Sequence, residues 1–210
     1  FVAEADESDG SFLNYLPKYS IITNIDREHL DYYRDFENEL SAFKDFVNKT
    51  RQDGCVFYCA DDENLKIIAA GFKNKSVSFG LNSSARFYPE NIKFNGLKSE
   101  FDCYDKDAFV GSFTLSLGGR HNISNSLSVI ALGLELGIDL ALIKNTLRNY
   151  QGSRRRLEVK FSSGGIYVID DYAHHPTEIK ATLSAAKNLK HKRIIGIFQP
   201  HRYTRTRLLM

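Results

Sequence analysis

Residues 19–60 read YSIITNIDREHLDYYRDFENELSAFKDFVNKTRQDGCVFYCA. YSIITNI (19–25) is an apolar, β-branched run with the composition of a buried strand. After a polar break, Phe36, Leu40, Phe43 and Val47 recur at three- and four-residue spacing, so DFENELSAFKDFVNKT (35–50) is predicted helical. Gly54 then punctuates the chain and CVFYCA returns to a strand. Strand, helix and strand in that order define an α/β fold with a mostly parallel sheet flanked by helices.

Working outward, FVAE at the start reads as the end of another apolar strand. DDENLKIIAAGF is predicted as a short helix capped by aspartate with Gly71 past its end, and KSVSFG as a short strand. Residues 85–117 alternate aromatic and polar residues, which predicts antiparallel strands with tight turns. Helical spacing resumes with Leu127, Ile130, Ala131 and Leu134 on one face and Gly137 as the stop; ALIKNTLRNY (141–150) is a further helix. The basic, glycine-containing stretch at 152–157 marks a boundary between 1–153 and 154–210. Beyond it a strand (166–169), a helix (about 176–188) and a strand (193–198) predict a βαβ unit, the start of a Rossmann-like domain.

The chain has 210 residues, 42% hydrophobic and 26% charged, with a formal net charge of +2. That charge is too small to point to nucleic acid. No apolar run approaches the roughly 20 residues of a membrane span. The acidic start is neither a signal nor a transit peptide. Three cysteines (Cys55, Cys59, Cys103) with no export signal point to buried thiols in a reducing cytoplasm rather than a disulfide framework. The chain begins with Phe1 and its single methionine is Met210, after a plausible helix start in TRTRLLM; an internal fragment is therefore expected.

Five polar constellations carry chemistry. EADESD (4–9) follows the first apolar run, and carboxylates at strand ends suit a hard cation such as Mg²⁺. TNIDREHLD (23–31) places His29 after a second strand, where a neutral imidazole completes a cation site with an acid from its neighbour. GGRHNISN (118–125) brings a glycine turn to a helix start; Asn122 is an expected N-cap, and Asn122 and Asn125 share a face that matches an adenine edge. SRRRLE (153–158) offers guanidinium groups for phosphate. FQPHRYTRTR (198–207) is a basic loop suited to an anion. IDDYAHHPTEI (169–179) adds paired histidines; side chains of adjacent residues diverge, which argues against a metal-dependent hydrolase. Neither G-x-x-x-x-G-K-[ST] nor G-x-G-x-x-G occurs in the chain.

AEADESDGSFL, TNIDREHLD, GRHNISNSL, QGSRRRLE, DDYAHHPTE and FQPHRYTRTR occur in the order they take in the Mur ligase family, and the resemblance spans the chain. It implies the later part of a central ATP-binding domain (1–153) and the start of a C-terminal ligase domain (154–210), without the UDP-binding domain and without the upstream phosphate loop. It implies ATP-dependent ligation of L-alanine to UDP-N-acetylmuramate through an acyl phosphate, with a tripeptide-recycling sibling as the alternative. It implies that this chain alone has no turnover. Residue by residue, Glu4 and His29 resemble Mg²⁺ ligands, and His121, Asn122 and Asn125 the adenine-side contacts. Arg156 resembles the phosphate-binding arginine, and Asp171 and Tyr172 further ATP contacts. His174, His201, Arg202 and Arg205 resemble groups that hold the substrate, with His29, Arg156 and His174 at the reacting centre.

Overall fold

In a computed structural model the described residues are 1–210 except Lys190, Arg202, Thr204, Arg205, Leu208, Leu209 and Met210. A 3-10 turn (Ser11–Asn14) precedes β1 (Tyr19–Ile22), the single-turn α1 (Leu30–Tyr33), α2 (Phe36–Asn48), β2 (Cys55–Cys59), α3 (Glu63–Ala69) and β3 (Ser76–Phe79). There follow β4 (Phe87–Asn95), β5 (Lys98–Asp105), β6 (Ala108–Leu115), α4 (Arg120–Glu135) and α5 (Leu140–Asn149). A second lobe holds β7 (Glu158–Ser163), β8 (Ile166–Asp170) and α6 (Pro176–Ala186).

The first sheet has the order β1-β2-β3-β4-β5-β6. Its pairs β1–β2, β2–β3 and β3–β4 are parallel, whereas β4–β5 and β5–β6 are antiparallel. Central β2 is apolar on both faces and almost wholly buried, as expected of a parallel strand covered on both sides. Gly54 opens it because a Cβ there would lie 1.6 Å from the Lys18 carbonyl oxygen, which accepts the Cys55 N–H. Asp35 caps α2 by accepting the Asn38 N–H, and Asp62 caps α3 by accepting the Leu65 N–H. Helix α4 packs across β2, β3 and β4 with Ile123, Leu127 and Ile130 fully buried. All three thiols are buried and free, and burial pushes Cys103 up to about 12.

Four expectations need correction. FVAE is not a strand: Phe1 and Val2 are exposed, and β1 is left as the sheet edge. Asn122 is not the N-cap of α4; Gly119 is, and the Asn122 side-chain amide donates to the Gly118 carbonyl at 2.8 Å. The second lobe holds an antiparallel hairpin, with β7 missed by the apolar-run reading and Gly164–Gly165 turning at φ 58° and 77°. The segment 193–198 forms no strand. A strand buried on both faces needs a ladder partner and cover, whereas Ile197 here is 97% exposed. Strand β8 is likewise exposed along Ile166–Val168. The expected helix start at 204–210 lies largely outside the described residues.

Helix α2 also buries a charge-bearing residue. Glu39 is 1% exposed, with one oxygen accepting the Glu28 N–H at 3.4 Å. Burial raises its carboxyl from 4.5 to about 7. The native state therefore retains a proton that the unfolded chain releases. Stability from this group is complete below the unfolded value and declines as pH rises to about 7, by roughly 3 kcal/mol. Urea unfolding at pH 5 and pH 8 is expected to show that decline in the parent and to lose it in Glu39→Gln.

Candidate functional site

The segment after β1 is pinned to the first lobe before it reaches its chemistry. Buried Ile25 donates its N–H to Asp62 at 3.1 Å and accepts from the Asn64 amide at 3.0 Å. His29 then adopts a left-handed conformation (φ 56°) and opens α1. Its Nε2 lies 3.4 Å from Glu7 Oε1. The Tyr33 hydroxyl donates to the Glu7 carbonyl and fixes that residue from the other side. The hydrogen bond between them raises the His29 imidazole and lowers the Glu7 carboxyl. Burial and the nearby Glu39 and Glu7 carboxylates raise the Tyr33 phenol.

Glu4, by contrast, is exposed and does not meet His29. Asp6 and Asp9 accept the N–H groups of Ser8 and Ser11, at 2.8 and 2.9 Å, and shape a turn that carries Glu7 to His29. Once FVAE is not a strand, Glu4 has no strand end to stand on. Among the described residues no group of three or more His, Cys, Asp or Glu side chains is arranged to hold a metal by itself.

At the start of α4, Gly119 has φ 100° and no side chain caps the helix. A Cβ there would lie 2.7 Å from the His121 ring and 3.0 Å from the Ala185 methyl of α6. Burial lowers the His121 imidazole, with Asp171 and Arg156 near enough to act on it in opposite directions. Asn125 is exposed two residues beyond buried Ile123. Gly119→Ala combines backbone strain with these two collisions, so a loss of about 2–4 kcal/mol in chemical unfolding is expected.

The second lobe gathers most of its candidates around one carboxylate that the motifs did not single out. Glu178 Oε1 accepts from Arg156 Nη1 at 2.9 Å, and Oε2 accepts the N–H groups of His174 and His175 at 3.0 and 3.2 Å. Arg156 stands between Arg155 and Leu157, both left-handed at φ 57° and 49°, a strained arrangement for side-chain-bearing residues. Asp171 accepts the N–H groups of Leu157 and Ala173 at 2.8 and 2.7 Å, which ties the end of β8 to the arginine segment. Tyr172 packs beneath the Arg155 guanidinium and edge-on to His174. The His174 ring also faces His201, centroids 6.3 Å apart. Arg202 and Arg205 lie outside the described residues.

The two histidines serve different partners, as their adjacency predicts. His174 Nδ1 is 2.9 Å from the Tyr172 carbonyl. His175 caps α6 in a capping box with Glu178, and its Nδ1 is also 3.4 Å from Asp26 Oδ2 of the first lobe. The missed residues are thus Glu7, Glu178, His175 and Asp26. Glu7, Asp26 and His175 lie in stretches singled out above without being chosen there, and Glu178 had a further signal, the acid three residues after a helix cap.

The chain belongs to the Mur ligase family, as matches to two of the family's domains across both lobes show. Residues 2–133 match the Mur ligase middle domain and residues 155–210 the Mur ligase glutamate ligase domain. The chain is 46% identical over 208 residues to the UDP-N-acetylmuramate–L-alanine ligase of Syntrophus aciditrophicus, an alignment covering 99% of this chain and 43% of that protein. The crystal structure of the UDP-N-acetylmuramate-alanine ligase of Thermotoga maritima is 34% identical, with TM-score 0.81 over 94% of this chain and 45% of that one. A murein peptide ligase of Psychrobacter arcticus is 25% identical with TM-score 0.59, over 84% of this chain and 36% of that one. The chain spans less than half the length of these relatives.

Proposed function

We propose that this chain supplies part of the ATP and substrate site of an enzyme that joins L-alanine to UDP-N-acetylmuramate in the cytoplasm, with 1–153 in the ATP-binding domain and 154–210 opening the C-terminal ligase domain. The observation that carries the reading is 46% identity to an alanine-adding ligase across both lobes. Among the described residues no helix is long and apolar enough to cross a membrane. The UDP-binding domain and the phosphate loop are the expected companions, and without them this chain is expected to have no turnover.

The donor set fits Mg²⁺. Glu7 and His29 hold an oxygen and a nitrogen 3.4 Å apart, close to the roughly 3 Å edge of an octahedron with bonds of about 2.1 Å, and one or two protein ligands suffice where phosphates and waters supply the rest. When bound, the cation offsets phosphate charge. Metal binding needs His29 unprotonated, so Glu7 must exchange its hydrogen bond for shared ligation. Arg156, oriented by Glu178, offers its remaining guanidinium donors to phosphate oxygens. Asn125 and Asn122 present amides toward an adenine edge, with His121 beside them. Asp171 and Tyr172 shape the nucleotide-facing loop. His174 and His201, with Arg202 and Arg205, hold the muramate carboxylate and the incoming amine. That carboxylate takes the γ-phosphoryl group, the amine attacks the acyl carbon, and phosphate leaves.

The murein tripeptide is the competing acceptor-site ligand, and the lower identity to the murein peptide ligase disfavours it. A metal-dependent hydrolase fits poorly, because His174 and His175 turn to different partners. The deciding experiment supplies the complete ligase with ATP, Mg²⁺ and UDP-N-acetylmuramate and varies the amine. Phosphate release that requires L-alanine and yields the UDP-muramoyl-alanine amide is expected; release supported by the tripeptide and not by L-alanine overturns the assignment.

A further inference from the structure

We propose that His175 is a positioning residue that latches the two lobes together through Asp26 and so sets the ATP-bound arrangement; this rests on the ligase reading above. His175 is 7% exposed at the first turn of α6, and its Nδ1 reaches both the Thr177 N–H at 3.3 Å and Asp26 Oδ2 at 3.4 Å. A ring nitrogen accepts the amide proton only when unprotonated and donates to the carboxylate only when protonated. The cap and the latch are therefore alternatives at one atom, so the contact is one that can form and release. The opposite nitrogen, Nε2, is buried with no partner among the described residues, so the ring has no competing anchor there.

Both ends of the latch are rigid. Asp26 follows Ile25, which is fixed to Asp62 and Asn64, and precedes His29 by three residues. On the other side the His175 N–H is held by Glu178, the carboxylate that also orients Arg156. A single pair thereby connects the segment bearing the cation-site imidazole with the carboxylate bearing the phosphate-site arginine. Helix α6 also brings Ala185 against Gly119 at the start of α4, an apolar contact that does not fix orientation.

The test uses His175→Ser and Asp26→Ala in the complete ligase. Serine caps a helix well but is too short to reach Asp26, so the melting temperature should hold while the latch is lost. Each single variant is expected to lower kcat/KM for ATP about 5-fold, and the double variant about 5-fold rather than the roughly 25-fold of independent sites. Small-angle scattering with saturating ATP should show each variant more expanded than the parent. Unchanged kinetics and scattering, or an additive double variant, overturn the latch. Should the parent fail to use L-alanine, ATP-dependent compaction and its loss in the variants still test the latch apart from the ligase reading.

Discussion

Glu7→Gln in the complete ligase is expected to lower kcat by about 100-fold or more, whereas Glu4→Gln is expected to change it by less than about 3-fold, with ATP and Mg²⁺ saturating for the parent. Glutamine keeps the shape of the side chain and removes the charge. Glu7 lies 3.4 Å from His29 Nε2, so its negative charge acts on the imidazole and on any bound cation at short range, reduced by the solvent that still reaches its carboxylate. A cation that offsets the charge of transferring phosphate supplies several kcal/mol, and about 3 kcal/mol is already a 100-fold effect. Glu4 is exposed, and the ion pair with His29 is made by Glu7. A Mg²⁺ titration of kcat separates the two further: the midpoint should move upward in Glu7→Gln and stay in Glu4→Gln. Equal losses in both variants would return the cation site to the outer glutamate.

Phe57→Ala is expected to destabilise the first lobe by about 3–5 kcal/mol in urea unfolding. Phe57 is fully buried in β2, where it pairs in register with Ile21 of β1 and Val77 of β3. Close packing on both faces leaves the neighbours little room to relax into the space vacated. Such a loss is a large part of a domain's whole stability, so the variant is expected at low soluble yield. Ile67→Ala, on a helix surface and 74% exposed, is the matched control and should shift stability by less than about 1 kcal/mol.

The central sheet was legible because its signals are local. The β-branched run at 19–25, the helical spacing through Phe36 and Val47, and the alternation after residue 85 each state a periodicity that one element satisfies alone. The core face of α2 shows the limit: Val47 is buried as expected, but Phe36, Leu40 and Phe43 are only partly buried, and Ala42 and Phe46 complete the buried face. The second lobe misled for a physical reason. RIIGIF at 193–198 has the composition of a parallel strand, but pairing is a property of two segments, and no ladder forms there in this structure.

The site was half legible for a related reason. His29 and His174 stand out by residue type, since the chain has only 6 histidines, and Arg156 stands out by its place in the SRRRLE cluster. The carboxylates that organise them do not, because 26 acidic residues compete for attention and only tertiary structure chooses among them. That Glu7 rather than Glu4 lies beside His29 follows from the turn built by Asp6 and Asp9. Glu178 follows from where α6 begins, and Asp26 from the approach of a lobe more than 140 positions away in sequence.

Isotope transfer tests the proposed chemistry most directly. The complete ligase is supplied with ATP, Mg²⁺, L-alanine and UDP-N-acetylmuramate whose lactyl carboxylate carries ¹⁸O at both oxygens, and the released phosphate is examined by mass spectrometry. Attack of the carboxylate on the γ-phosphoryl group, followed by loss of phosphate to the amine, moves one labelled oxygen into each phosphate released. One ¹⁸O per phosphate, in step with amide formation, is the expected result; unlabelled phosphate formed alongside the amide contradicts it.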